Sequence, residues 1–344
     1  MSKDAAVIDA AEQAYAVSAP TENWLQEIIL KLQPALDSGS GIFGWLYDAR
    51  DFKNIAFSNP VFLGVAPELP VALVNCSQDA ETSVSLIQRH YRTPAGPFST
   101  SLGDGFAGFT PWRRHIHPLG VKDLLVVNGI DANRKGCAIS APRRGIAQAS
   151  AERLALLRYF SVHLATAYRL RRRIDASPAH LAGPAHPRVE AVLSSSGRLD
   201  HASSKARHRD ARDALSVAVR AAERARGKLR RASPGEAISV WKTMVSGRWS
   251  LSDHFESDGR RYILAYVNTP DAPPLRTLSE LERQVLSCSA LGKSNKLISH
   301  ELGLGLAAVS SALKRATSKL GARRPRDLIA IMDQVLEAPV ADES

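Results

Sequence analysis

The chain has 344 residues, 44% of them hydrophobic and 23% charged, with a formal net charge of +11. The length is sufficient for two or three domains, each with its own core, and the composition is ordinary for a soluble globular protein. No run of about 18 apolar residues is present, so we expect no membrane span. The three cysteines lack metal or redox spacing, which favours small buried thiols in a reducing cytoplasm.

The positive charge is concentrated in the middle of the chain. Residues 151–270 carry 22 Lys and Arg against 11 Asp and Glu, whereas the segments on either side are close to neutral. A basic middle region provides a favourable long-range field for a polyanionic partner. It does not by itself identify a DNA-binding protein.

Residues 1–175 predict a mixed α+β module. Apolar periodicity indicates helices at 4–16, 22–36, 80–92 and 148–174, strands at 41–47, 123–130 and 135–140, a further candidate strand at 53–63, and a loop at 94–120. Helices at both ends of antiparallel strands resemble a sensory module of the GAF type. The long helix at 148–174 ends in arginines at 171–173. It is either an ordinary helix with a solvated, dipole-complementing end or a signalling or dimerising helix that leads out of the sensory module.

Aromatic residues of this first module are candidate liners of a ligand pocket, namely Trp45, Tyr47, Phe57 and Trp112. The alternative is that these rings belong to the ordinary core. The histidines at 115 and 117 have no further ligand at usable spacing, so we expect no metal site. We also expect no cofactor.

A linker rich in Pro, Gly and Ala at 176–187 leads to a second α+β module at 188–268. Strands are predicted at 189–193, 198–202, 247–254 and 260–268, one basic helix or a pair of helices at 203–231, and a further helix at about 235–245. The last two strands would pair across Ser257-Asp-Gly. This order resembles a shortened PAS-type module. The basic helix at 203–231 is either a solvated face or an auxiliary phosphate-binding surface.

The last quarter of the chain, after a Pro-rich hinge at 269–275, predicts four short helices and a tail at 339–344. Ser279 and Glu282 form a capping box, and Gly292 ends that helix before Ser294 caps the next one. Gly303 ends the second helix after barely two turns. Two short helices joined by a glycine turn are the helix-turn-helix layout, whose second helix enters the DNA major groove.

These residues resemble the DNA-binding domain of LuxR/GerE-type (NarL/FixJ-like) transcription regulators, which we place at 276–338. The matching motifs are Leu-Ser-x-x-Glu, Gly-x-Ser-Asn-Lys-x-Ile, Leu-Gly-Leu before the turn, and Lys-Leu-Gly after the recognition helix. The chain departs from the family's usual residues at Gly305, Leu306, Ala308, Ser310 and Ala312. These departures leave the fold intact, but base specificity cannot be transferred. The predicted class is a multidomain α+β protein with GAF-like and PAS-like modules before an all-α four-helix domain.

The resemblance and the chemistry of the side chains assign roles within this domain. Candidate base contacts are Ser310, Ser311 and Lys314, because hydroxyls and ammonium groups can bind base edges. Candidate phosphate contacts are Lys293, Asn295, Lys296, Arg315 and Lys319. The fourth helix, predicted at 325–336, is a dimer surface by resemblance.

The sequence therefore predicts a cytoplasmic, dimeric transcription regulator that binds double-stranded DNA. A small molecule or protein would supply the signal, and RNA polymerase is a further candidate partner. The competing hypothesis is a signalling adaptor that uses the helix-turn-helix fold for protein–protein contacts. An enzyme is not expected, because no nucleophile elbow, phosphate-binding loop or dinucleotide fingerprint occurs.

Overall fold

The computed structural model describes residues 3–17, 20–177, 183, 186, 188–255, 260–271, 275, 277–322, 327 and 331–332. Within these residues the chain forms two antiparallel sheets, followed by a C-terminal group of helices. The predicted mixed α+β class is confirmed at this level, whereas the GAF and PAS resemblances stay predictions. No described helix combines the length and the apolar character needed to cross a lipid bilayer.

The first region is built on a five-stranded sheet with the order β2-β1-β5-β4-β3. In chain order its elements are Ala5–Ala14 (α1), Thr21–Leu36 (α2), Ile42–Asp48 (β1), Ala56–Leu63 (β2), Leu69–Gln78 (α3), Val84–Tyr91 (α4), Ala95–Pro97 (β3), Phe98–Leu102 (α5), Thr110–His115 (α6), Asp123–Ile130 (β4), Lys135–Arg143 (β5) and Ala151–Asp175 (α7). The predicted loop at 94–120 was wrong, since it holds β3, α5 and α6. These elements are too short for periodicity to reveal them.

Helices cover both faces of this sheet. The helices α1, α2 and α7 pack on one face, and α3 to α6 enclose a second apolar cluster on the other. A Cβ atom at Gly129 of β4 would lie 2.7 Å from the backbone nitrogen of Ala165. Glycine at this position therefore lets α7 lie directly on the sheet.

The second region contains a four-stranded sheet with the order β7-β6-β9-β8. Its elements are Val189–Ser194 (β6), Leu199–Ala202 (β7), Arg209–Arg224 (α8), Arg230–Ala232 (α9), Pro234–Val240 (α10), Trp249–Phe255 (β8) and Arg261–Val267 (β9). The amphipathic α8 covers one face of the sheet. The other face packs into the cluster that also holds α1 and α7, so the two regions share one core. The Ser257 turn and most of the predicted linker lie outside the described residues.

Some arginines of the basic segment predicted at 203–231 form ion pairs within the protein. Arg226 Nη1 lies 2.9 Å from Asp253 Oδ1, and Arg230 Nη1 lies 2.5 Å from Asp9 Oδ1 of α1. A break at Gly227, with φ −79° and ψ −139°, follows α8. Arg230 therefore connects the second region to α1, whereas the Arg226–Asp253 pair joins two parts of the second region.

The C-terminal region contains Glu280–Ala290 (α11), Asn295–Leu302 (α12) and Leu306–Lys319 (α13). Met332 is buried against residues of α11 and α13, including Leu286 and Ala316. The remainder of the predicted fourth helix at 325–336 lies largely outside the described residues, so its role as a dimer surface stays a prediction.

Candidate nucleic-acid interface

The predicted capping box is present at the start of α11. The Ser279 hydroxyl accepts from the Glu282 backbone N–H at 3.3 Å, and Glu282 Oε2 accepts from the Ser279 backbone N–H at 2.9 Å. The same carboxylate accepts hydrogen bonds from Lys319 Nζ at 2.8 Å and Arg315 Nε at 3.1 Å. These bonds, that of Lys319 first, lower the pKa of Glu282 to about 2. An ionised Glu282 therefore fastens the end of α13 to the start of α11.

The turn between α12 and α13 is fixed by local hydrogen bonds. Ser294 caps α12 by accepting from the Leu297 backbone N–H, and Gly303 ends it in the left-handed conformation with φ 63°. The Ser299 hydroxyl donates to the Leu304 carbonyl at 2.6 Å. This arrangement holds α13 in a defined orientation relative to α12.

The outer face of α13 is polar and open to solvent. Ser310, Ser311 and Lys314, the predicted base contacts, are all exposed. A shallow groove of about 440 Å³ runs between this face and Asn295. The Asn295 Nδ2 atom lies 3.4 Å from Ser310 Oγ. The geometry thus brings hydroxyl, amide and ammonium groups together on a single helical surface.

Four of the five predicted phosphate contacts are also at the surface. Asn295 and Lys296 are exposed at the N-terminal end of α12, where backbone N–H groups favour an anion. Arg315 and Lys319 remain about half exposed while bonded to Glu282. These groups flank the proposed base-contacting face.

Comparison with known proteins identifies this region. Residues 276–332 match the family model described as bacterial regulatory proteins, luxR family (GerE). The C-terminal region is therefore similar to this family, and we refer to it as the luxR-family domain after that match. Neither the curated proteins nor the solved structures contain a significant match to the chain. The match supports a DNA-binding transcription regulator in general, because domains of this family are regulatory rather than enzymatic.

Lys293 does not occupy the position expected of a phosphate contact. Its Nζ lies 2.7 Å from Glu301 Oε2 and donates to the Ile130 carbonyl at 3.0 Å. The Lys293 residue is only 6% exposed, and Glu301 is 1% exposed. A buried lysine with these two partners is a structural tie between the luxR-family domain and the first sheet, so this assignment is corrected.

Lys242, between α10 and β8, is a further cation that no sequence pattern indicated. Lys242 lies at the surface near Lys296. Its pKa is lowered, mainly because its ammonium group is partly desolvated and also because Lys296 carries a like charge nearby. The two lysines come from different regions of the chain, so no local pattern could have paired them. Together they extend the cationic surface beside the N-terminal end of α12.

The luxR-family domain is docked on the rest of the protein through α12. Residues 297–302 are all buried, and α12 packs on α7. The Thr243 hydroxyl donates to the Glu301 carbonyl at 2.6 Å. Met244 inserts into the core cluster of the luxR-family domain. A Cβ at Gly303 would overlap the Met244 carbonyl, so glycine is required there for the contact as well as for the turn.

Two histidines lie at the centre of this contact. The Nε2 atoms of His163 on α7 and His300 on α12 are 3.4 Å apart, and both side chains are fully buried. Burial lowers the pKa of His163 to about 3 and the pKa of His300 well below its usual value. Both are therefore neutral near pH 7, and the ring of Tyr159 packs 4.4 Å from that of His300.

The predicted ligand-pocket aromatics form packing contacts with neighbouring side chains. The Tyr47 hydroxyl donates to Asn128 Oδ1 at 2.6 Å, and Trp112 stacks on Phe98 with ring centroids 4.8 Å apart. Trp45 packs edge-on against Phe57, which is itself 47% exposed. None of the four predicted residues lines the cavity of about 780 Å³ at β3.

Proposed function

We propose that this chain is a transcription regulator that binds double-stranded DNA as a homodimer. Each α13 would enter the major groove of one half-site, and the half-sites would lie about one helical turn apart. The observation that carries the proposal is the exposed polar face of α13, with Lys314 at its centre, in a domain that matches the luxR family.

The surrounding charges support contacts to the DNA backbone. Lys242 and Lys296 lie together near the start of α12, and Arg315 and Lys319 lie towards the end of α13. Cations on both sides of a recognition helix fix its register on the phosphates, whereas the Ser310, Ser311 and Lys314 groups would bind base edges.

We further propose that the first two regions modulate DNA binding through α7. The helix α7 belongs to the core shared by both sheets and also packs on α12. At the start of the predicted hinge, Asp271 accepts hydrogen bonds from Arg173 and from Asn133, the latter at 3.0 Å. A signal that moves α7 would therefore act on the luxR-family domain through packed contacts.

The test is selection of bound duplexes from a random pool by the full-length chain, followed by affinity measurement from 50 to 200 mM salt. We expect enriched duplexes with two half-sites, and a slope of log K against log salt near −0.9 per phosphate contacted. Absence of enrichment, or an affinity independent of salt, would contradict the proposal.

A second candidate function, a signalling adaptor, is favoured by one specific observation. Leu306 at the start of α13 is 53% exposed and is followed by two exposed alanines, which makes this end of the helix apolar. An adaptor would bind a protein through this apolar turn. Leu306→Ser would then abolish partner binding, and Lys314→Ala would have little effect on any measured interaction. A DNA-binding regulator should show the opposite sensitivity.

A further inference from the structure

A cavity of about 780 Å³ lies at the open edge of the first sheet, beyond β3. Its walls are β3, the end of α4, α5, the segment before α7 and the first turns of α7. The volume falls within the range of about 300–1,000 Å³ typical of small-molecule sites. It is separate from the nucleic-acid interface and from the four aromatics predicted as pocket liners.

The charge of the lining is one-sided. Among the described residues that line the cavity, Arg89 and Arg158 are cationic and none is acidic. Arg89 donates from Nη1 to the Leu102 carbonyl at 3.1 Å, which anchors one end of the guanidinium and leaves further N–H groups available. Two guanidiniums without a carboxylate around a shared volume favour an anionic occupant.

Small polar groups complete the lining. Thr100 and Gln148 add a hydroxyl and an amide. The Ser101 hydroxyl donates to the Phe98 carbonyl at 2.7 Å, so its oxygen retains acceptor capacity. Gly96 also lines the cavity, and a Cβ there would meet no atom within 4 Å, so the glycine leaves free space beside β3.

We propose that this cavity binds a small organic anion, bearing carboxylate or phosphate groups, between Arg89 and Arg158. A planar guanidinium binds either group through paired N–H donors. The volume accommodates a metabolite-sized molecule but is too small for a folded partner.

The site is connected to the docked domain through α7. Arg158 precedes Tyr159, whose ring packs on His300 of α12, and His163 follows about one turn later. An anion bound to Arg158 would therefore act on α7, the helix on which α12 of the luxR-family domain packs. This coupling rests on the proposed function, whereas anion binding itself does not.

The experiment is titration calorimetry of the full-length chain with succinate, citrate and inorganic phosphate, at ionic strength matched with sodium chloride. Succinamide, a neutral molecule of similar shape to succinate, is the ligand control. We expect at least one anion to bind with one-to-one stoichiometry and succinamide not to bind. Arg158→Gln and Thr100→Glu should each weaken that binding at least tenfold, because one removes a cation and the other adds a carboxylate to the exposed wall.

Arg113→Gln is the matched control, since Arg113 is an exposed arginine on α6 away from the cavity. The inference is overturned if none of the three anions binds, if Arg158→Gln binds as tightly as the unmodified chain, or if Arg113→Gln loses binding equally. Thermal unfolding of each variant verifies folding. Duplex binding without anion binding overturns this inference alone, whereas anion binding without duplex binding overturns the proposed function alone.

Discussion

The two helices of the helix-turn-helix have opposite surroundings. In α12, every residue from 297 to 302 is buried and the helix packs on α7, whereas α13 exposes Ser310, Ser311 and Lys314. The contrast extends to two lysines of the same motif, since Lys293 is buried in an ion pair and Lys314 is exposed. One helix attaches the domain to the protein, and the other is available to a partner. Substitutions on the two sides of that division should therefore have different effects.

The largest effect is expected from Lys293→Ala. Removing this lysine leaves the Glu301 carboxylate, 1% exposed, without its partner. Loss of one member of a buried pair costs about 3–5 kcal/mol in the free energy of unfolding. Urea denaturation measures it. Lys296→Ala, an exposed lysine three positions along, should change stability by less than about 0.5 kcal/mol. Equal effects of the two substitutions would refute the division between the helices.

The second effect is a loss of stability in mild acid caused by His163 and His300. A histidine in the unfolded chain has a pKa of about 6.5, so above this pH the two imidazoles are neutral in both the folded and the unfolded protein. Below it, the unfolded chain binds protons that the buried rings of the folded protein do not accept. The contribution of the neutral rings to stability is therefore complete above pH 6.5, and it is lost progressively as the pH falls towards the pKa in the folded protein, which is about 3 for His163. For the two histidines together, we expect the free energy of unfolding to fall by about 3 kcal/mol between pH 7.5 and 5.5.

Unfolding curves of the double variant His163→Phe/His300→Phe at the two pH values provide the measurement. The aromatic surroundings of Tyr15, Tyr159 and Trp241 suit phenylalanine, so the acid-induced loss should shrink by about 3 kcal/mol. The part due to His90, whose pKa burial lowers to about 4, should remain in the double variant. The control is His117→Gln, at an exposed position, which should keep the full pH dependence. A double variant with an unchanged pH profile would show that these histidines are not responsible.

The third prediction concerns Lys314, on the exposed face of α13. Lys314→Ala should weaken binding to a selected duplex by about 1–3 kcal/mol and relax base preference at one position. Lys296→Ala should weaken all duplexes alike, because phosphate contacts carry no sequence information. Competition binding against a panel of single-base variants distinguishes the two. Equal discrimination by Lys314→Ala and the unmodified chain would remove Lys314 from the base-contacting set.

The smallest effect is expected for Lys242→Ala. If Lys242 joins Lys296 on the phosphates, its removal should reduce the magnitude of the salt slope by about 1. The free energy of unfolding should change little, since the side chain is exposed. Fluorescence anisotropy at several salt concentrations gives the slope, and Lys228→Ala, an exposed lysine of the second region, is the matched control. Parallel salt plots for all three proteins would exclude Lys242 from the interface.

The sequence predicted features whose causes are local. The Ser279–Glu282 capping box, the Ser294 cap and the Gly303 turn each depend on residues a few positions apart, and the structure contains all three. Lys293 was misassigned because its burial depends on Ile130 and the first sheet, which are distant in sequence. The pairing of Lys242 with Lys296 was missed for the same reason. The cavity at β3 was also missed, because its arginines come from two separate helices.

The place of Met244 has a practical consequence for dissecting this protein. A fragment cut before α11 would lack this buried member of its own apolar cluster, and the vacated space would be open to solvent. Such a fragment should be less stable and more prone to self-association than its size suggests. Grafting the domain onto another protein would require a replacement for this methionine, opposite a turn that accepts only glycine at position 303.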